Sequence, residues 1–199
     1  MKTESLGGFD RFRVPAALLV IAIHTGPLLS LNGEANYLLT DILARIAVPF
    51  FFSVSGWFLV PRLLREGRAA LIPFVKKLLL LYGAAALLYL PLNLYNHTLE
   101  ESGFALLRDV FFNGTFYHLW YFPALVLGAC LVYGLLRILG PRWAWLPALL
   151  LYAAGLLGDS YFGLTAALPP LRAGYEALFL LFDYTRNGLF FPPVFLLLG

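Results

Sequence analysis

Apolar runs about as long as a bilayer is thick recur along this chain, and they leave it few folds to choose from. A hydrocarbon core takes about 20 residues of helix at about 1.5 Å rise each. On that measure spans are expected at residues 13–31, 42–61, 74–94, 118–138 and 143–158 of the 199. Backbone groups in lipid must pair within the structure that carries them. The expectation is therefore all-α, a polytopic transmembrane helical bundle. A last run, 187–199, is too short to cross, so the chain reads as five complete spans and an incomplete sixth, the N-terminal part of one membrane domain. Composition agrees: 61% of residues are apolar and 13% charged, outside the range of soluble domains. The single cysteine, Cys130, sits in an apolar run and offers no disulfide framework. The first run is longer than a signal-peptide core and lacks a small-residue cleavage site, so it reads as a span.

Loop charge gives an orientation. Arg62, Arg65, Arg68, Lys76 and Lys77 crowd residues 62–77, Arg137 and Arg142 flank the next turn on that side, and Lys2, Arg11 and Arg13 precede the first span. The intervening loops hold Glu34, Asp41, Glu100, Glu101, Asp109 and Asp159. Positively charged loops stay inside, so the amino terminus is expected in the cytoplasm of a bacterial cell, the chain crossing its inner membrane and meeting membrane lipid. Residues 100–112 and 171–182 mix apolar and charged side chains and are expected to form interfacial helices. Two glycosylation-type triplets, Asn96-His97-Thr98 and Asn113-Gly114-Thr115, arise easily by chance and carry no weight.

The most informative residues are Arg13 and His24. Eleven residues at about 100° each end about 20° past three full turns, which puts both side chains on one helix face about 16 Å apart along the axis. An ionisable residue inside a span must find a partner and is a functional candidate by default; a flanking arginine and a packed histidine are the plainer reading. In the second span Pro49 cannot donate to the carbonyl of Arg45, so a kink is expected there. Ser53, Ser55 and Gly56 offer small surfaces for close helix approach, and Arg45 could snorkel to the outer interface. Trp120 and Tyr121 suit an aromatic belt, whereas His118 could face a cavity shared with His24. Asp183 and Arg186 stand three apart and could form a weak surface ion pair. The sequence contains no metal-ligand cluster, phosphate-cradling loop or nucleophile elbow, and nothing in it points to nucleic acid or to a metal.

The order of these pieces resembles the acyltransferase 3 family of integral membrane acyltransferases. The resemblance rests on Gly8-Phe9-Asp10-Arg11-Phe12-Arg13 with Ile23-His24-Thr25, on Ala47-Val48-Pro49-Phe50-Phe51-Phe52 with Ser55-Gly56, on His118-Leu119-Trp120-Tyr121-Phe122, and on Thr185-Arg186-Asn187-Gly188-Leu189-Phe190-Phe191. It covers essentially the whole chain, and its wording is nearest to the membrane domain of the vancomycin-resistance membrane serine racemases. It implies about half of a domain with ten spans, the C-terminal half missing, and hence inactivity of these 199 residues alone.

The family transfers an acyl group, often acetyl, from cytoplasmic acyl-CoA to a hydroxyl of a cell-envelope glycan or small acceptor. The resemblance implies that Arg13 helps hold the coenzyme and that His24 is the general base. The family's Arg-x-x-Arg pair has two overlapping matches, Arg62 with Arg65 and Arg65 with Arg68. Both precede the family's place, where Lys76-Lys77 stands, so coenzyme contact on this loop stays open beside plain positive-inside charge. Around the acceptor, Arg45, Ser55, His118 and Trp120 are the candidate binding residues. A different class competes with acyl transfer: in the racemase-like proteins such a domain is thought to admit serine for a separate cytoplasmic enzyme, and His24 would then bind or gate an amino acid.

Overall fold

The computed structural model describes residues 7–97 and 102–199, and all regular structure among them is helical. Helix α1 runs Gly7–Thr25. It starts and stops about six residues before the expected span, because Gly26 takes φ +53° and Pro27 follows it. Asn32 then caps α2, Gly33–Tyr37, by accepting from the Ala35 N–H at 3.0 Å. The chain continues without a break through a π-helical stretch, Leu38–Leu43, and a 3₁₀ turn, Ala44–Ile46, into α3, Ala47–Glu66. The kink expected at Pro49 is thus displaced upstream: proline sits in the first turn of α3, where its missing N–H costs little, and the irregular stretch before it absorbs the change of direction. Gly67 reverses the chain at φ +59° into α4, Arg68–Tyr95.

Past α4, Ser102 caps α5, Gly103–Arg108, which passes into a second π-helical stretch, Asp109–Asn113. Glu100 and Glu101, assigned to this interfacial segment by sequence, lie outside the described residues. Helix α6, Tyr121–Trp143, breaks at Gly140 before Pro141, the position of the expected basic turn, and α7 follows at Trp145–Gly158. A short helix, α8 Phe162–Ala166, precedes α9, Pro169–Leu178, which covers most of the second stretch expected to be helical, 171–182, and α10 is Pro192–Leu198. In α9 the charges of Arg172 and Glu176 pair at 2.7 Å on the exposed side while Tyr175 is buried and donates to the Ala154 carbonyl at 2.6 Å. Among the described residues three helices are long and apolar enough to cross a membrane: Gly33–Glu66 taken through its irregular turns, Arg68–Tyr95 and Tyr121–Trp143.

The core lies where α3, α6 and α10 meet, around Phe52, Leu59, Leu63, Ala129, Val132 and Leu196. Between helices in lipid, hydrophobicity supplies no preference for protein over solvent, so association depends on close fit. Glycine provides it. A Cβ on Gly56 would collide with the backbone carbonyl of Leu196, and one on Gly128 would come within 2.7 Å of Pro192 Cβ. Along α4, by contrast, Leu80, Leu87 and Leu88 point outward, as on a face turned to lipid.

Candidate functional site

α1 is unbroken between Arg13, in its second turn, and His24, in its last, so the two lie about 16 Å apart along the axis. Arg13 is half-exposed, pairs with Asp10 at 3.0 Å and stands 6.0 Å above the Phe58 ring. The basic residues Arg62, Arg65, Arg68, Lys76 and Lys77 are all exposed, at the α3 end and the start of α4, with Arg62 paired to Glu66 at 3.4 Å. They form a surface, and no hydrogen bond or ion pair joins them to Arg13 among the described residues.

His24 lies in the last turn of α1, on the wall of a cavity of about 1000 Å³. Its ring stands 5.0 Å from that of Tyr117 and 5.8 Å from that of His118. The loop that carries these two is fixed from three directions. Gly114 takes φ +89°, and any side chain there would run into the backbone of Trp120. From α4, Asn93 donates to the Thr115 carbonyl at 2.8 Å, while the Tyr82 hydroxyl accepts from Thr115 N–H at 3.2 Å and donates to the Val110 carbonyl at 3.0 Å. The Tyr89 ring stacks on Phe116 at 4.8 Å and meets the edge of His118 at 4.7 Å.

The cavity gathers some of the candidate residues and leaves out others. His24, Arg45 and Trp120 line it. His118 touches His24 but is caged by Tyr89, Phe116 and Tyr117 behind the lining. Ser55 donates to the Phe51 carbonyl at 2.8 Å within its own helix and is absent from the lining, which favours its packing role. Tyr121 stacks on Phe52 at 4.7 Å, packed against the core.

The walls also carry charges that sequence reasoning treated as loop residues. Asp41, from the first π-helical stretch, accepts from Arg45 at 2.9 Å and from Thr40 at 2.9 Å. From the second, Asp109 meets Arg108 at 3.1 Å, and Arg108 also reaches Asp183 at 3.2 Å. The expected Asp183–Arg186 pair is not formed. The backbone between them is not helical, so a three-residue spacing does not bring them together; Arg186 instead turns to Asp159, 2.8 Å away. Asn113, the first residue of one glycosylation-type triplet, donates to Asp109 at 3.2 Å and accepts from the Asp183 N–H at 3.1 Å; its side chain is committed to the fold. Thr98 of the other triplet lies outside the described residues. The signal available in sequence was the confinement of these acids to the loops on one side.

Comparison with known proteins gives the family. The family model of an acyltransferase domain, acyltransferase 3, matches residues 6–199. An amino-acid racemase of Enterococcus faecalis is 46% identical over 200 residues, covering 100% of this chain and 28% of that protein. A serine/alanine racemase of Enterococcus gallinarum is 44% identical over 202 residues, covering 96% of this chain and 28% of that protein. This chain therefore spans under a third of the length of these relatives. No solved structure matches it. With a match from residue 6 to residue 199, the chain belongs to the acyltransferase 3 family of integral membrane proteins.

Proposed function

We infer that this domain transfers an acyl group, acetyl being the simplest, from cytoplasmic acyl-CoA to a hydroxyl of an envelope carbohydrate or small acceptor bound in the His24 cavity. The observation that carries the reading is the placement of Arg13 in the second turn and His24 in the last turn of one continuous helix, within a chain of this family. With the basic surface in the cytoplasm of a bacterial inner membrane, Arg13 stands where coenzyme phosphates arrive, and a guanidinium binds them by charge-assisted hydrogen bonds. An extended pantetheine arm is of the same order as the roughly 16 Å between the two residues. His24, neutral near pH 7, takes the acceptor's hydroxyl proton as the oxygen attacks the thioester carbonyl. The carbon–sulfur bond breaks, the ester forms, and the proton passes from imidazole to the departing thiolate. The basic residues Arg62, Arg65, Arg68, Lys76 and Lys77 add charge attraction for the coenzyme at the same face.

The test uses the full-length protein in nanodiscs with labelled acetyl-CoA. Wild type is expected to bind and slowly hydrolyse it, His24→Ala to bind but lose turnover about 100-fold or more, the scale of a general base, and Arg13→Ala to weaken binding. No acyl-CoA binding by wild type would sink the reading.

The names of the relatives, an amino-acid racemase and a serine/alanine racemase, favour a second reading. In it the same cavity admits an amino acid for a separate catalytic domain. Uptake of labelled serine by vesicles carrying the protein, abolished in His24→Ala and indifferent to acyl-CoA, is its signature.

A further inference from the structure

Among the described residues two arginines, Arg45 and Arg186, and four aspartates line the cavity, and Arg108 pairs with two of those aspartates. Arg45 and Asp41 sit one turn apart on the same helical segment, and Thr40 closes the second oxygen of Asp41. Arg108 is shared between Asp109 and Asp183. Asp109 also accepts from Asn113 at 3.2 Å, and Arg45 meets Asp41 through Nη2. Arg186 lines the cavity beside residues of α7 and of the segment before α10. Its Nε faces Asp159 Oδ2 at 2.8 Å, and among the described residues no group other than Asp159 meets the donors of the guanidinium. The chain on either side is pinned. Thr185 is 2% exposed and donates to the Gly155 carbonyl at 2.7 Å, and Asn187 is 4% exposed and accepts from the Leu189 N–H at 2.9 Å. The Tyr184 ring flanks the guanidinium at 5.7 Å.

A surface ion pair needs no such mounting. A guanidinium fixed at its backbone and turned along one edge to a carboxylate keeps donors for a second oxyanion, and its planar fork matches carboxylate or phosphate. Arg45 and Arg108 offset two of the three other carboxylates, Asp41, Asp109 and Asp183.

We propose that Arg186 is the anion-holding residue of the cavity, binding a carboxylate or phosphate group of a small hydroxyl-bearing ligand whose hydroxyl lies toward His24. Asp159 orients Arg186 and does not touch the ligand. The proposal rests on the cavity being the acceptor or amino-acid site. It is tested without acyl-CoA, so its failure is separate from a failure of acyl transfer.

Binding to the full-length protein in nanodiscs is measured by calorimetry with paired probes: L-serine against serinol for a carboxylate, glycerol 3-phosphate against glycerol for a phosphate. In at least one pair the probe bearing the carboxylate or phosphate is expected to bind at least about tenfold more tightly than the counterpart without it, the scale of a charge-assisted hydrogen bond. The pair that shows the difference identifies the anion. Arg186→Gln is expected to abolish that difference, and Arg186→Lys to restore part of it without the fork. Asp159→Asn is expected to keep anion binding or tighten it, which distinguishes a ligand-holding arginine from a structural ion pair whose two halves would fail alike. Equal binding of the two probes within both pairs, loss of anion preference in Asp159→Asn as complete as in Arg186→Gln, or no binding of any probe would each overturn the assignment.

Discussion

At the scale of single residues, the least replaceable positions are those where two backbones nearly touch. Gly56 meets the Leu196 carbonyl with no room for a methyl group, whereas nothing lies within 4 Å of a Cβ on Gly83. Gly56→Ala should therefore destabilise by about 1–3 kcal/mol through overpacking, while Gly83→Ala should be neutral or slightly stabilising because alanine favours helix. Thermal unfolding in detergent, monitored by circular dichroism, compares the two; equal midpoints would show that the α3–α10 crossing relaxes. The same scale shows how unevenly the site could be read. His24 was legible because a histidine inside an apolar run is costly and rare. Arg45 and Trp120 were legible as polar or amphipathic interruptions near span ends. Asp159 and Arg186 were not, because they are 27 residues apart and nothing local marks them as partners.

Among the elements, the two π-helical stretches matter most for the cavity. Leu38–Leu43 carries Asp41, and Asp109–Asn113 carries Asp109 and Asn113; widened turns of this kind often occur at functional sites. Each holds one more residue per turn than an α-helix, which rotates the helix before it relative to the segment after it. Deleting exposed Ile42 would return the first stretch toward α geometry and turn α2 by about 100° against α3, carrying Asn36 and Thr40 out of their buried positions. The expected outcome is normal helix content by circular dichroism with loss of the probe binding described above. Unchanged affinity would show that the widened turn does not shape the cavity. The long helices were predictable from apolar length alone. The widened turns were not, since neither Leu38-Leu39-Thr40-Asp41 nor Asp109-Val110-Phe111-Phe112 has a propensity for π over α geometry; the packing of α1 and of the loop after Asn113 selects it.

For the whole molecule, the proposed orientation places the basic surface in the cytoplasm and the cavity rim outside. In a Cys130→Ala background, a membrane-impermeant maleimide added to intact spheroplasts is expected to label exposed Leu168→Cys and not Arg65→Cys, with Arg65→Cys reacting only after permeabilisation. The reverse pattern would invert the topology and with it the roles of Arg13 and His24. Sequence by itself determined the helical class, the approximate helix positions, the sidedness of charge and the shared face of Arg13 and His24. All of these come from local chemistry: the length of an apolar run, the charge of a loop and the pitch of a helix. Only the tertiary structure decided which loop residues become cavity walls, that Asp183 turns to Arg108 and Arg186 to Asp159, and that His118 packs against His24 without lining the cavity. Those outcomes depend on how segments far apart in the chain come to lie against one another. With lipid offering apolar side chains as good a surrounding as protein does, that arrangement is set by glycine contacts and polar pairings that no single stretch of sequence contains.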